Sequence, residues 1–489
     1  MESCERAQRR RDRLIAALLA LGVFGFMLLF FACVHPLVLH DGDDWGYSSY
    51  SRGALPIWGY WNPSRVLPEI LSPACASAAA YLVMPLTGSF NTAYTLLLAA
   101  VVSACITVYA LMLMRLMQRE GDCTAAAAAM LSALFLVMHF LIFRTQKTGN
   151  DHLLYSWNVN TYFFYTIPNL LNAALALMWA GAGGRALRPG GGMGQGFLLL
   201  AVYLAVFSNL FASQILAVYA FVTLALALAK ARGRGAWRRT LGEHGWLLLV
   251  LALWLTAAVF DMNGGRSDSL TSGSLMQRLL ETLRGMLARV RMLNAKFVGV
   301  CALSLAGALA LFALRRERDE RDGRFIALLV RFLLCAVCCG VCTAALCTAS
   351  SPEYARRADV LFAPAFFLLA AVMTALAYIV SRAPRVGMVL PLLCLVLIFE
   401  TDTRITTFRE PNIDQLSPKQ CVAINEAIMN QIAGADREGL TELAVEVPAG
   451  SFSFLSDGMM RTMLKCGLID RYIQCTNVEI EDFCARYGI

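Results

Sequence analysis

The stretch LIAALLALGVFGFMLLFFACV, residues 14–34, follows the basic cluster Arg9-Arg10-Arg11-Asp12-Arg13 and precedes the acidic cluster Asp41-Gly42-Asp43-Asp44-Trp45. An apolar run of about 20 residues is long enough to cross a bilayer as a helix. It is also longer than the apolar core of about 7–15 residues in a signal peptide, which predicts an uncleaved first span. Because positive charge is retained in the cytoplasm, the N-terminus is predicted to be cytoplasmic and the aspartates to lie outside.

Similar apolar runs recur along most of the 489 residues, of which 58% are hydrophobic and 16% charged. A soluble domain has roughly 45–50% apolar and 25% charged residues. The composition therefore predicts an all-α polytopic membrane bundle. The net charge of +8 does not indicate a nucleic-acid partner, because Lys and Arg lie in short clusters between apolar runs. About eleven spans are predicted, at 14–34, 91–114, 124–143, 162–182, 197–209, 212–229, 246–260, 297–314, 325–349, 359–380 and 386–400.

One further apolar segment, 66–86, is predicted not to cross the membrane. It contains Pro68, Pro73 and Pro85 and is rich in alanine. Counting it as a span would place the basic loops on the wrong side of the membrane. We therefore expect a surface-lying or re-entrant helix within a long first external loop, 35–90. Apart from this charge argument, the sequence leaves open whether the segment crosses.

The tail, 401–489, differs from the apolar core, 1–400, and is predicted to be a small extracytoplasmic α/β domain. Ser417-Pro418 is typical of a helix start, with an N-cap followed by proline in the first turn. Residues 443–447 read as a strand. Cys421, Cys466, Cys475 and Cys484 could pair outside the cytoplasm, but the sequence does not give the pairing.

The predicted external loops 35–90, 144–161 and 261–296 carry residues that suit a sugar attached to a lipid phosphate. Aromatic faces pack on sugar rings, acids and amides bond to hydroxyl groups, and Arg or Lys holds phosphate. An interfacial aromatic belt is the alternative for the aromatic residues, and a hydrogen-bonded surface pair is the alternative for His152. The candidates for binding are Asp41, Trp45, Tyr47, Trp61, Asn62, Arg65, Lys147, Asp151, His152 and Arg266.

Asp43 and Asp44 are the candidates for catalysis. Three acids within four residues repel one another, which can raise one pKa toward the range that a general base needs. A solvated acidic loop is the alternative. Two or three loop acids, with Asp43 and Asp151 as candidates, could also hold a divalent cation such as Mg²⁺ or Mn²⁺, or could serve only a hydroxyl group.

Asp43-Asp44-Trp45-Gly46-Tyr47, followed by Trp61-Asn62-Pro63-Ser64-Arg65, resembles the first external loop of the GT-C superfamily of membrane glycosyltransferases. The similarity is greatest to the O-antigen glucosyltransferase-like group, which carries Asp-Asp-Trp-x-Tyr and then Asn-Gly-Arg. Here Asn62-Pro63-Ser64-Arg65 is one residue longer and lacks the glycine. The sharp motif is confined to this loop.

The resemblance implies a glycosyltransferase of the inner (plasma) membrane that acts in the cell envelope, on O-antigen or lipopolysaccharide for example. An acid of the first loop, Asp44 or Asp43, would be the base, and Asp151 would help to bind phosphate or metal. The donor would be a polyprenyl-phosphate sugar, the acceptor a glycan or glycolipid, and the anomeric configuration would invert. Arg65, Lys147 and Arg266 could stabilise the departing phosphate.

Two other functions remain open on the sequence alone. A transporter or flippase of a lipid-linked sugar would use a similar surface without cleaving a bond. A non-catalytic relative that binds such lipids is the second alternative, and the altered motif at Asn62-Pro63-Ser64-Arg65 keeps it open. The sequence names neither the sugar, the acceptor and the lipid length nor the oligomeric state.

Overall fold

The computed structural model describes residues 2–50, 64–144, 151–154, 156, 158–182, 192–233, 235–263, 273–387, 389–399, 416–450 and 456–489. The chain forms two compact units. The first contains Met1–Phe24, Cys105–Tyr155 and Tyr165–Thr403, and the second contains Gly25–Ala104, Ser156–Phe164 and Arg404–Ile489.

The described residues are mostly helical, with one small sheet. In chain order the α-helices are α1 (Glu2–Leu29), α2 (Gly42–Ser49), α3 (Val66–Ala78), α4 (Met84–Thr87), α5 (Phe90–Arg119), α6 (Ala125–Phe140), α7 (Val159–Thr161), α8 (Ile167–Ala180), α9 (Gly192–Val206), α10 (Leu210–Lys230), α11 (Ala236–Glu243), α12 (Gly245–Met262), α13 (Leu275–Arg291), α14 (Ala295–Leu314), α15 (Glu320–Ala349), α16 (Phe362–Arg382), α17 (Pro384–Gly387), α18 (Leu390–Ile398), α19 (Pro418–Glu438), α20 (Ser456–Lys465) and α21 (Phe483–Tyr487). Short π-helices occupy Phe30–Val34, Ala79–Val83 and Tyr162–Thr166, and a 3₁₀-helix occupies Pro352–Arg356. The strands are β1 (Glu442–Pro448) and β2 (Gln474–Ile480).

Among the described residues, nine helical stretches are long and apolar enough to cross a membrane. They are Glu5–Val34, Val66–Thr87, Phe90–Arg119, Val159–Ala180, Leu210–Lys230, Gly245–Met262, Ala295–Leu314, Glu320–Ala349 and Phe362–Arg382, and α6 and α9 are shorter apolar helices. The chain is thus a multi-pass helical membrane protein, as its composition predicts. The count of eleven spans stays a prediction.

Helix α6 ends earlier than the predicted span 124–143, because the chain beyond it makes different hydrogen bonds. Phe143 forms an isolated antiparallel bridge with Leu293. Arg144 N donates to Met292 O at 2.7 Å, and Asn294 N donates to Ile142 O at 2.9 Å. These bonds satisfy backbone groups that a longer helix would have paired internally. They also hold the start of α14 beside the end of α6, within the first unit.

The segment predicted to stay at the surface, 66–86, forms one helical stretch, Val66–Thr87, through α3, a π-helix and α4. Its length and composition would permit a crossing. Within the second unit, however, Arg65 before it lies over the ring of Phe164, which also contacts Tyr47 of α2. Just after it, Phe90 packs against Trp45 of α2. One end of the stretch thus lies near a ring that contacts α2, and the other is followed by a residue that contacts α2 directly. The surface-lying position stays a prediction.

The tail has the predicted start and the predicted strand. Ser417 caps α19 and accepts a hydrogen bond from Gln420 N at 3.3 Å, with the reciprocal bond of a capping box also present. Ile424, Ile428 and Ile432, which share one face of α19, are buried. Strand β1 pairs with β2 in parallel, with Glu442 opposite Gln474, and α20 lies in the connection between them.

The tail cysteines do not provide a disulfide in this structure. Cys466, Cys475 and Cys484 carry free thiols. Cys421 is buried, with its sulfur 3.6 Å from His40 Nδ1 within the second unit. The tail is therefore held by its packing against other parts of the second unit.

Candidate functional site

Two of the three clustered aspartates form the start of α2. Asp41 is the N-cap, and its side chain accepts a hydrogen bond from Asp43 N at 2.9 Å. The Asp44 carboxylate accepts one from Asp41 N at 3.1 Å, which completes a capping box. The first N–H groups of a helix lack partners within the helix, and acids at this end also favour the helix dipole. These aspartates therefore stabilise the start of the helix to which they belong.

Asp44 also ties α2 to two neighbouring segments of the second unit. Its Oδ2 accepts from His40 N at 3.0 Å, and its Oδ1 accepts from Asn160 N at 2.5 Å. Its side chain is 1% exposed. Burial raises the pKa of Asp44 to about 7, while the backbone N–H groups of Asn160 and His40 oppose this by stabilising the charged form. With backbone donors on both oxygens, Asp44 holds the loop together.

Asp43 differs from Asp44 in its exposure. It lies in the first turn of α2 and is exposed, whereas Asp41 is half-buried. Tyr47 is four residues further on, so it shares a face of the helix with Asp43. Of the two candidate bases, Asp43 is the one that an acceptor from outside the protein can reach.

Tyr47 and Arg65 lie near the same aromatic ring. The Tyr47 ring packs edge to face on Phe164 at 4.9 Å, and Arg65 Cζ lies 6.0 Å from the Phe164 ring centroid. Arg65 precedes α3 with φ of 65°, a left-handed conformation that is uncommon for a residue with a side chain. The second unit thus brings an exposed carboxylate, two aromatic rings and a cation to adjacent positions.

Trp45, a candidate for stacking on a sugar, lies in the core. It is fully buried, and its ring lies 6.2 Å from that of Phe90. Helix α20 covers it: a Cβ on Gly458 would meet Trp45 Cβ at 3.2 Å, and Thr462 Oγ1 donates to Trp45 O at 2.9 Å. Lys465 Nζ donates to Ser49 O, at the last turn of α2, at 3.0 Å. This environment favours a packing role for Trp45.

Asp151 belongs to the first unit, where it forms an ion pair with Arg289 of α13. Arg289 Nε also donates to Arg356 O at 2.7 Å, and its Cζ lies 4.8 Å from the Phe143 ring centroid. The pair is largely shielded, with 12% of the arginine side chain and 27% of the aspartate side chain exposed. Asp151 therefore anchors the segment at 151–154 to α13.

His152 is fully buried, and its ring stacks on Phe140 at 4.6 Å. This packing favours neither the substrate-binding role nor the surface pair with Asp151. Arg289 is not among the cations that the sequence predicts for the site, which are Arg65, Lys147 and Arg266. The signal that could have found Arg289 is the helical spacing of 275–291, which places Arg278, Thr282, Gly285 and Arg289 on one face.

Four of the predicted binding residues, Trp61, Asn62, Lys147 and Arg266, lie outside the described residues and stay predictions. Asp43 and Asp44 belong to one unit and Asp151 to the other. Among the described residues, no three or more His, Cys, Asp or Glu side chains form a group that could hold a metal ion.

The chain matches no known protein family, no curated protein and no solved structure. The resemblance to GT-C glycosyltransferases therefore rests on the first-loop motif, whose described members lie around α2.

Proposed function

We propose that this protein is a membrane glycosyltransferase of the GT-C type. It takes a sugar from a polyprenyl-phosphate donor and transfers it to a cell-surface glycan or glycolipid. The proposal combines a multi-pass helical fold with a fixed, acid-bearing helix directly after the first predicted span. The single observation that supports it best is the arrangement of α2. Asp44 is buried and accepts three backbone hydrogen bonds, whereas Asp43 is exposed.

A general base must be accessible and held in position. Asp43 meets both conditions, because it is exposed and its helix is fixed through the carboxylate of its neighbour, Asp44. Tyr47, which is half-buried and packs on the buried Phe164, offers aromatic surface on the same helix face, and Arg65 near Phe164 offers positive charge. A carboxylate, an aromatic ring and a cation are the groups that an acceptor hydroxyl, a sugar ring and a lipid phosphate require.

In the proposed reaction, Asp43 accepts the proton of an acceptor hydroxyl group. The oxygen attacks the anomeric carbon, a new C–O bond forms, and the bond from that carbon to the phosphate oxygen breaks. The phosphate departs with the bonding electron pair and one added negative charge. Attack on the face opposite the phosphate inverts the anomeric configuration. Arg65 is placed to lower the energy of the charge that develops.

The first test is Asp43→Asn in the full-length protein, reconstituted in lipid vesicles with a radiolabelled polyprenyl-phosphate sugar and a glycolipid acceptor. Removal of a general base lowers a rate by about 10²–10⁴. We expect a loss of this size in labelled product, with the melting temperature unchanged because Asp43 is exposed. Asp457→Asn is the matched control: Asp457 is an exposed acid on α20 whose carboxylate pairs with Arg461.

The outcomes separate the competing functions. Product formed by the wild type without an ion gradient supports transfer over transport. Movement of labelled lipid across the vesicle without product would identify a flippase. Normal product formation by Asp43→Asn would refute the assignment of the base.

A further inference from the structure

Helix α13 presents three separate faces along its length. One face, with Thr282 and Gly285 buried at its centre, packs within the first unit. A second consists of large apolar side chains that are 46–64% exposed, at the alternating spacing of four and three residues: Met276, Leu280, Leu283, Leu287 and Val290. The third face consists of exposed residues that are polar or small, each one position after a residue of the apolar face: Gln277, Glu281, Arg284, Ala288 and Arg291. Adjacent residues of a helix differ by about 100°, so the apolar and polar faces lie side by side.

The buried face fixes where α13 lies. A Cβ on Gly285 would meet Ala355 Cβ at 3.2 Å, and Thr348 Oγ1 donates to Thr282 Oγ1 at 3.2 Å. Thr348 belongs to the last turn of α15, and Ala355 to the 3₁₀-helix that follows. The residues after α13 are bonded to the chain at the end of α6. Helix α13 therefore lies across the ends of membrane helices of its own unit.

The chain on both sides of α13 leads into candidate spans. Helix α12 precedes it, and three residues, Met292–Asn294, separate it from α14. Three residues reach at most roughly 11 Å, so the C-terminal end of α13 must lie at the level where α14 enters the membrane. The start of α14 is itself exposed and apolar at Val298. The apolar face of α13 thus continues onto the lipid-facing side of a span.

The charge of α13 matches that of an anionic lipid surface. The helix carries Arg278, Arg284, Arg289 and Arg291 against a single acid, Glu281. Arg289 is engaged by Asp151, but Arg284 and Arg291 are exposed on the polar face, beside the apolar one. Basic residues that flank an apolar helical face are characteristic of helices in the membrane interface.

We propose that α13 lies in the membrane interface, with its apolar face among the acyl chains and with Arg284 and Arg291 bound to the phosphates of anionic phospholipids. The ion pair between Arg289 and Asp151 then links this lipid-bound helix directly to the loop at 151–154. The proposal does not depend on the reaction that the protein catalyses.

The test uses the full-length protein in phosphatidylcholine vesicles whose acyl chains carry bromine, which quenches tryptophan fluorescence. Leu283→Trp places a tryptophan on the apolar face, and Ala288→Trp is the matched control on the polar face. After subtraction of the wild-type signal, we expect the added tryptophan of Leu283→Trp to lose most of its emission and that of Ala288→Trp to keep it. Leu287→Trp repeats the measurement should Leu283→Trp fail to fold.

A second experiment addresses the headgroup. In mixed vesicles of phosphatidylglycerol and phosphatidylcholine, bromine is placed on one lipid at a time. Brominated phosphatidylglycerol should quench Leu283→Trp more strongly, and the difference should disappear when Arg284→Gln and Arg291→Gln are added. Equal emission from Leu283→Trp in brominated and ordinary vesicles would overturn the interfacial placement. Equal quenching by the two brominated lipids would overturn the role of the arginines.

Discussion

Asp43 and Asp44 are adjacent in the sequence and lie in opposite environments. Asp44 is buried and accepts three backbone hydrogen bonds, whereas Asp43 is exposed on the first turn of α2. A carboxylate with N–H donors on both oxygens is poorly placed to take a proton from a hydroxyl group. Asp44 therefore fixes α2, and Asp43 is presented to the solvent.

Asp44→Ala should destabilise the protein, because it leaves three backbone N–H groups without their acceptor. A buried donor that loses its partner costs about 1–3 kcal/mol. We expect a lower melting temperature for Asp44→Ala in lipid vesicles, and no comparable change for Asp43→Ala. An Asp44→Ala variant as stable as the wild type would mean that these bonds do not hold the loop.

The pH dependence of stability should also report on Asp44. Its pKa in the folded protein, about 7, lies above the ordinary value of 3.8. The folded chain therefore binds this proton more tightly than the unfolded chain, and the contribution of Asp44 to stability falls as the pH rises from about 4 to about 7. Above pH 7 it is constant.

The measurement is the difference in melting temperature between the wild type and Asp44→Asn at a series of pH values. The wild type should lose stability relative to the variant up to about pH 7, after which the difference should level off. A difference that does not vary between pH 4 and pH 8 would contradict the raised pKa.

The sequence predicts much of this cluster but not the division of roles. Acids after an apolar run indicate a functional loop, and their spacing permits a capping box. The identity of the base depends on burial, and burial depends on Asn160, which is 116 residues from Asp44 along the chain. The burial of Trp45 likewise depends on residues far away in the sequence, because α20 covers it.

At the scale of elements, α20 packs directly on α2. Gly458 allows the close approach, Thr462 donates to Trp45 O, and Lys465 donates to Ser49 O at the end of α2. A cation at a helix C-terminus also stabilises the helix dipole. The tail therefore positions the helix that carries Asp43.

Gly458→Val should push α20 away from α2, because the added side chain meets backbone atoms of Trp45 and Gly46. Overpacking of this kind costs about 1–3 kcal/mol. We expect a lower melting temperature and reduced glycosyl transfer. Gly434→Val in α19 is the matched control, because a Cβ there has no atom within 4 Å. Equal effects of the two substitutions would show that helix propensity alone is responsible.

The sequence predicts the elements themselves well where their signals are local. The Ser417 cap and strand β1 are confirmed. Helix α6 ends before the predicted boundary because its last residues bond to residues near 293, a pairing that no local pattern reveals. The packing of the tail on α2 was not foreseen for the same reason.

At the scale of the whole molecule, the contact between α2 and α20 constrains how often the chain crosses the membrane. Elements that touch outside the bilayer lie on the same side, so the chain between them crosses an even number of times. If Val66–Thr87 stays on one side and each of the described helices α5, α6, α8, α9, α10, α12, α14, α15 and α16 crosses once, the number of crossings is nine. An even number then requires one more, and among the described helices we expect α18, within the predicted span 386–400, to supply it.

A reporter enzyme that is active only outside the cytoplasm tests this topology. Fused after Gly88, it should be active, because Val66–Thr87 is expected not to cross. Fused after Gly121 it should be inactive, and fused after Phe399 it should be active again. A fusion after Lys230 is the control for a cytoplasmic loop. An inactive fusion after Gly88 would show that the segment crosses and that charge bias gives the wrong topology.

The hydrogen bond from Thr462 to Trp45 joins residues that are 417 positions apart in the chain. During translation, α2 emerges before Asn160, and Asn160 emerges before α20. Asp44 can therefore bond to Asn160 while later helices are still being made, but Thr462 cannot bond to Trp45 until α20 has emerged. A nascent chain that stops short of α20 thus has the partners of Asp44 but leaves Trp45 uncovered.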